Sequence, residues 1–306
     1  MELTEAVHKW VEHQLGEGAV IQKAEQLKGS TSSTLHQISY RSGGVEQQVV
    51  VRQFDNKEWL EEEPDLAEHE AESLRMGEKA GVPSPEVIAY EEDDRACGVP
   101  VVLMTKLDGR VELSPQNQSR WLKELARALA AIHRVEALEF ERAYFSYSNL
   151  KDPVLPAWSR VPDVWEQVIQ YVKATDPVEE ACLIHRDFHP ANVLWENGRV
   201  SGVVDWVNAC RGPVGVDVGH CRVNLALLYG VDQADAFLEA YREERGAAFS
   251  YTPYWDIAAV LDFLCGERPQ VYPGWAAFGM TGLTDRMMEE RLDAYVCSLL
   301  KRLEEE

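Results

Sequence analysis

Residues 182–206 read C-L-I-H-R-D-F-H-P-A-N-V-L-W-E-N-G-R-V-S-G-V-V-D-W. The first part threads two histidines, a cysteine, an aspartate and an asparagine through apolar residues, with Pro190 interrupting. A metal site, a catalytic loop and a polar turn between buried segments all fit that mixture. The second part narrows the choice. Asn197-Gly198 is the strongest short hairpin signal, because both central positions of the favoured turn need φ > 0. With a two-residue loop, Glu196 opposes Arg199, Trp195 opposes Val200 and Val193 opposes Gly202. Asn192 then falls across from Val203, with Asp205 two residues beyond. The hairpin is expected to bring Asn192 and Asp205 to one open end, next to the loop that holds Asp187.

Hard cations such as Mg2+ take oxygen ligands, commonly one or two carboxylates together with phosphate oxygens and water. Asn192 and Asp205 meet that requirement. Asp187 precedes Asn192 closely enough to take a proton from a hydroxyl attacking a metal-bound phosphate, the arrangement that phosphoryl transfer needs.

H-R-D-F-H-P-A-N, the N-G hairpin and V-V-D-W resemble the catalytic loop and metal segment of the aminoglycoside phosphotransferase and choline kinase superfamily, which shares the protein-kinase-like fold. The family pattern H-x-D-x-x-x-x-N, followed by a metal aspartate on the next strand, matches His185, Asp187, Asn192 and Asp205. The resemblance spans roughly residues 20–230 and implies ATP and Mg2+ as cofactors. It implies Asp187 as catalytic base, Asn192 and Asp205 as metal ligands, His185 as structural support, and Asp217 as a second buried aspartate bracing the loop. L-K-G-S-T-S-S-T-L resembles the phosphate-covering loop, with Ser30, Thr31 and Ser32 beside the nucleotide. Arg52 falls where protein kinases carry lysine, and Glu70 where the helix supplies its partner. V-V-L-M-T-K-L-D-G resembles the hinge, where backbone groups of Thr105 and Leu107 would meet the adenine edge.

The rest of the chain organises around this centre. Residues 4–15 read as a short helix with Val7, Val11 and Leu15 on one face. From about residue 20 the pattern is of strands, with Leu35–Tyr40 and Val45–Phe54 flanking the turn S-G-G. Asp65–Ala80 is helical, and Val87–Tyr90 and Val99–Leu107 are further strands. Ser114 and Pro115 read as N-cap and first residue of a helix carrying Trp121, Leu122, Leu125, Leu129 and Ile132. More helices are expected near 163–173, 216–229, 232–245, 254–264 and 285–303. The expected fold is α+β and bilobal, protein-kinase-like. A small β-rich N-lobe covers 1–108, and a larger, mainly helical C-lobe covers 109–306.

Among the 306 residues, 45% are hydrophobic and 27% charged, as in an ordered globular protein. No apolar run approaches the roughly 20 residues that span a bilayer, and the N-terminus lacks a signal-peptide pattern, so a cytoplasmic protein is expected. The net charge of −22 argues against nucleic-acid or anionic-membrane partners and is compatible with a cationic small-molecule substrate or with acidity that only keeps the protein soluble, while a small-molecule hydroxyl substrate is what the resemblance implies. Six scattered cysteines with no C-x-x-C pair read as reduced thiols. The acidic run Glu58–Glu72 reads as a solvated face. Glu239, Glu243, Glu244, Asp256, Asp262 and Glu267 read either as an attraction for a polyamine-like acceptor or as wet helix faces.

Three other readings compete. A metal hydrolase would use Cys182, His185, Asp187 and His189, but Pro190 breaks any helical ligand spacing. A protein kinase would need D-F-G, A-P-E and a long activation segment, whereas D-W-V and a short connection stand here. A nucleotide-binding pseudoenzyme would not need base, both metal ligands and the Arg–Glu pair together.

Overall fold

Thr4 opens the first element. Its hydroxyl accepts the Val7 N–H at 3.3 Å, and α1 (Glu5–Leu15) runs from there to Gly16. The structure, a computed structural model, describes residues 3–27, 32–177, 180–264 and 267–305. Val7, Trp10 and Val11 pack into a core with Ile38, Tyr40, Val49, Val51, Val101 and Leu103. Burial of each such side chain contributes about 1.5–3 kcal/mol.

The partners of α1 come from β1 (Val20–Gln26), β2 (Thr34–Ser42) and β3 (Val45–Gln53) and, after α2 (Lys57–Glu62) and α3 (Leu66–Gly77), from β4 (Val87–Glu91) and β5 (Val101–Thr105). The strands form one antiparallel sheet in the order β1-β2-β3-β5-β4. Ser42 opposes Val45 across Gly43-Gly44, whose φ values of +58° and +83° explain why glycine closes this hairpin. The acidic run expected to be solvated divides in two. No residue of α2 is buried, but α3 turns Glu70 inward.

The chain continues through β6 (Arg110–Val111), α4 (Gln118–Ile132), α5 (Pro162–Ala174), β7 (Ala181–Ile184), β8 (Val193–Glu196), β9 (Arg199–Val203) and β10 (Cys210–Pro213). It ends with α6 (Val214–Tyr229), α7 (Val231–Arg245), α8 (Pro253–Leu264), α9 (Pro273–Ala277) and α10 (Asp285–Glu305). The start of α4 differs from expectation. Asn117, not Ser114, is the N-cap, with its side chain accepting the Arg120 N–H at 3.0 Å. Asparagine caps as well as serine, and this start lies one turn nearer the apolar stripe of Trp121, Leu122 and Leu125.

Two compact units result: Met1–Gly109 with Ser201–Asn208, and Arg110–Val200 with Ala209–Glu306. Ser201–Asn208, expected in the C-terminal lobe, belongs with the first unit. There the Val203 N–H donates to the Pro83 carbonyl at 2.9 Å and the Ser201 hydroxyl to the Asp108 carbonyl at 2.8 Å. Gly202 permits this seating, since a Cβ would collide with the Leu107 side chain.

In the larger unit α6 lies against α8 through Gly215 and Gly219. A Cβ at the first would meet the Trp255 ring, and at the second the Trp255 carbonyl. The acidic residues considered for a cationic acceptor are mostly paired here. Asp256 is buried against Arg222, Tyr251 and Tyr295, and Asp262 takes the Ser146 hydroxyl at 2.8 Å and the Ser148 N–H at 3.0 Å. Glu239, Glu243 and Glu244 face Arg242, Lys123 and Arg127. Cys97, Cys182, Cys210, Cys221 and Cys297 are free thiols, and Cys265 lies outside the described residues. Among the described residues no helix is long and apolar enough to cross a membrane.

Candidate active site

The loop after β7 is held by a carboxylate from another element. Asp217, in the first turn of α6, is fully buried and accepts the His185 N–H at 2.7 Å and the Arg186 N–H at 2.6 Å. His133, just past α4, adds Nε2 at 3.0 Å, and its Nδ1 meets the Tyr241 hydroxyl at 2.6 Å. Burial alone would raise the Asp217 carboxyl, but these bonds and the neighbouring imidazoles hold it below the usual carboxylate range. Burial likewise holds His133 below the usual histidine range, against the pull of Asp217.

Two backbone bonds so placed fix an unusual chain path, for Arg186 has φ +67°. Its guanidinium stacks 4.2 Å from the Phe145 ring centre and 4.0 Å from that of Tyr147, and donates to the Phe145 carbonyl at 2.7 Å. The His185 ring is fully buried, edge-on to Phe188 with centroids 6.1 Å apart. Backbone bonds and packing therefore shape the loop on both sides of Asp187.

Asp187 is held at both oxygens. Asn192 Nδ2 donates to Oδ2 at 3.0 Å and to the Asp187 carbonyl at 2.9 Å. His220 Nε2 lies 3.1 Å from Oδ1, and His189 Nε2 lies 3.7 Å from it. Burial opposes ionisation, but the imidazoles of His189 and His220 hold the Asp187 carboxyl well below the usual range. Burial likewise opposes charge on His220, yet its bond to Asp187 raises its pKa. An aspartate so held is ionised at neutral pH, and it orients a hydroxyl more readily than it removes a proton before reaction. Both amide hydrogens of Asn192 go to Asp187, which leaves its Oδ1 as an acceptor directed elsewhere.

A second group sits in the smaller unit. Arg52, on β3 and 4% exposed, reaches Glu70 Oε1 from Nη1 and Asp205 Oδ1 from Nη2, each at 2.7 Å. Its planar fork spans two carboxylates that a single ammonium would meet less evenly. Burial pushes the Glu70 carboxyl up to about 7, against the attraction of Arg52. Asp205 has φ +68°, and its Oδ2 has no hydrogen-bond partner among the described residues. Asn192 Oδ1 and Asp205 Oδ2 are uncommitted oxygens of the kind a hard cation takes.

Asp187, Asn192, His185 and Asp217 thus come together in the larger unit, and Arg52, Glu70 and Asp205 in the smaller. Ser32 is exposed beside β2, and Ser30 and Thr31 lie outside the described residues. The Thr105 N–H is committed to the Glu86 carbonyl at 2.9 Å, so a backbone contact to a ligand would have to come from its carbonyl. Leu107 places its side chain against Gly202. Sequence reasoning missed His220, His133 and the aromatic stack on Arg186. His220 did have a signal, because it follows Asp217 by one helical turn in V-D-V-G-H and shares its face.

Comparison with known proteins identifies the family and the fold. The model of the phosphotransferase enzyme family, APH, matches residues 29–275. No curated protein sequence matches the chain. Among solved structures, a Ralstonia eutropha JMP134 protein assigned as an aminoglycoside phosphotransferase is 17% identical, with 97% of this chain and 98% of that one covered at a TM-score of 0.65. A thermostable mutant of aminoglycoside phosphotransferase APH(4)-Ia, in ternary complex with ADP and hygromycin B, is 18% identical, with 96% and 98% covered and a TM-score of 0.60. Macrolide 2'-phosphotransferase MphH from Brachybacterium faecium is 16% identical, with 95% and 98% covered and a TM-score of 0.60. The α+β, protein-kinase-like fold is common to all of them. With its sheet and helices, its H-R-D-F-H-P-A-N loop and a family match over most of its length, this chain belongs to the phosphotransferase enzyme family.

Proposed function

We propose that the protein is an ATP-dependent kinase that transfers the γ-phosphate to a hydroxyl of a small molecule. The observation that carries this reading is Asp187, ionised and fixed at both oxygens inside the H-R-D-F-H-P-A-N loop. Asp187 orients the acceptor hydroxyl and takes its proton as the bond to phosphorus forms. Asn192 and Asp205 offer their uncommitted oxygens to magnesium, which when bound neutralises phosphate charge. Arg52, kept in place by Glu70, presents its guanidinium toward the phosphates. Ser30, Thr31 and Ser32 cover the phosphates, and Leu107 and the Thr105 carbonyl meet the adenine. Residues 1–108 then serve the nucleotide, and 109–306 carry the base and receive the acceptor. His185 and Asp217 support the loop without touching substrate. The enzyme would act in the cytoplasm, where ATP is supplied.

Among the similar solved structures, one holds ADP with hygromycin B and another is a macrolide 2'-phosphotransferase, which makes aminoglycosides and macrolides the first acceptors to screen. Choline-like compounds, amino alcohols and sugars complete the panel. Thermal shift with ATP and magnesium finds the acceptor, and phosphate transfer is then measured directly. Asp187→Asn is expected to lower turnover at least about a hundredfold with little change in nucleotide affinity, within the range of general bases. Near-normal turnover in that variant refutes the mechanism.

A further inference from the structure

Read from sequence, a metal site grouped Cys182, His185, Asp187 and His189. The structure groups other atoms. Cys182 donates its thiol to the Leu183 carbonyl and His185 packs on Phe188, while α6 brings in His220. The ligand atoms of Asp187, His189 and His220 all lie within 4.8 Å of one another. We infer that these three side chains form a binding site for a divalent transition-metal ion, Zn2+ above all, and that the bound ion blocks Asp187.

The spacing suits such an ion. Zinc bonds to nitrogen and oxygen of about 2.0–2.1 Å put neighbouring tetrahedral ligands roughly 3.3 Å apart. The distances from Asp187 Oδ1, 3.1 Å to His220 and 3.7 Å to His189, lie on either side of that value. Asp187, His189 and His220 side chains are 30%, 12% and 25% exposed, so an ion can reach them and keep water as a fourth ligand. Two imidazoles with one carboxylate favour Zn2+ over Mg2+, which prefers oxygen.

Ligation at His220 Nε2 replaces its contacts with Asp187 at 3.1 Å and with Asn224 Nδ2 at 3.3 Å. His189 Nδ1 now accepts the Ala191 N–H at 3.4 Å, and binding metal through Nε2 moves the imidazole proton to Nδ1.

Metal binding itself needs no assumption about activity. Its blocking effect rests on the kinase reading above, because the ion occupies the carboxylate that would face the acceptor hydroxyl. The full chain, free of any histidine tag, is titrated with ZnCl2 in excess MgCl2 by calorimetry. One equivalent is expected. CoCl2 should give the visible absorption of a four- or five-coordinate nitrogen–oxygen site. His220→Ala and His189→Ala should each weaken zinc binding at least about tenfold, while His8→Ala leaves it unchanged. Absence of stoichiometric zinc in the parent protein, or undiminished binding in both site variants, overturns the inference without reliance on how any variant folds. Zinc that binds but leaves phosphate transfer untouched overturns the blocking effect alone. If no acceptor is ever phosphorylated while zinc binds as described, the kinase reading fails and the metal site stands.

Discussion

Asp217→Asn tests how the proposed catalytic loop is held. The wild-type carboxylate accepts the His185 N–H and His133 Nε2 at one oxygen and the Arg186 N–H at the other, all in a fully buried place. An amide has one acceptor oxygen. Its better orientation keeps His185 and His133 on that oxygen and turns the NH2 group toward the Arg186 N–H, donor against donor. One charge-assisted bond is lost, at about 1.5–3 kcal/mol, and a buried N–H is left unmet, at about 1–3 kcal/mol. The two effects overlap, so the expected loss is about 3–5 kcal/mol. It falls at a residue whose φ of +67° is costly without support, so the loop should relax there first. Denaturant unfolding near neutral pH, read by tryptophan fluorescence, gives the change as a lower midpoint at unchanged slope. A loss below about 1 kcal/mol would refute the claim that Asp217 fixes the loop through buried, charge-assisted bonds.

Other consequences can be measured in the same way. Gly219→Ala sets a methyl group against the Trp255 carbonyl, where backbone must move, and should cost about 1–3 kcal/mol in a thermal or denaturant melt; a neutral result would mean that α6 and α8 are not in close contact. Arg52→Ala leaves Glu70 buried without its cation and should destabilise by about 3–5 kcal/mol, whereas adding Glu70→Gln should recover part of that loss; no recovery would show that the pair is not coupled. The pH dependence has two opposed parts. His133 is lowered in the folded state, so the unfolded chain binds more protons just below about 6.5 and stability falls as pH drops through that window. His220 is raised, so its contribution is complete below about 6.5 and is lost as pH climbs through its folded value. His133→Gln should therefore flatten the acid side of the stability profile and His220→Gln the other; unaltered profiles would contradict both assignments.

The features most legible in the sequence were those with local causes. Asn197 and Gly198 take φ values of +53° and +70°, as a hairpin turn of that kind demands, and the S-G-G turn closes β2 on β3. The helices expected near 163–173, 216–229, 232–245, 254–264 and 285–303 match α5, α6, α7, α8 and α10 to within two residues at each end, while the short α9 was not anticipated. The start of α4 was read at Ser114, whereas Asn117, one turn later, is the residue that caps it. What depends on distant partners was less open. Arg52 was paired with Glu70 from the fold's pattern, but its second contact, to Asp205 more than a hundred residues later, comes from where Ser201–Asn208 packs. His220 was overlooked because α6 is buried on nearly every side. In such a helix the one polar signal, Asp217 and His220 a turn apart, does not tell a histidine in contact with Asp187 from one that fills the interior. The positive φ of Arg186 likewise has no signature in sequence, and that of Asp205 only a weak one, since aspartate enters that region more often than most residues.

One consequence of the Asp217 arrangement concerns engineering. The eight residues His185–Asn192 look like a cassette that could be cut out and transplanted into another scaffold. Their shape, however, is stored elsewhere: in a carboxylate on α6, an imidazole at the end of α4, a tyrosine on α7 and an aromatic pair at 145 and 147. A transplant of the octapeptide alone would carry the reactive groups and leave behind the instructions for their geometry. The smallest portable unit is the octapeptide together with those supports, a set scattered over about a hundred residues of chain.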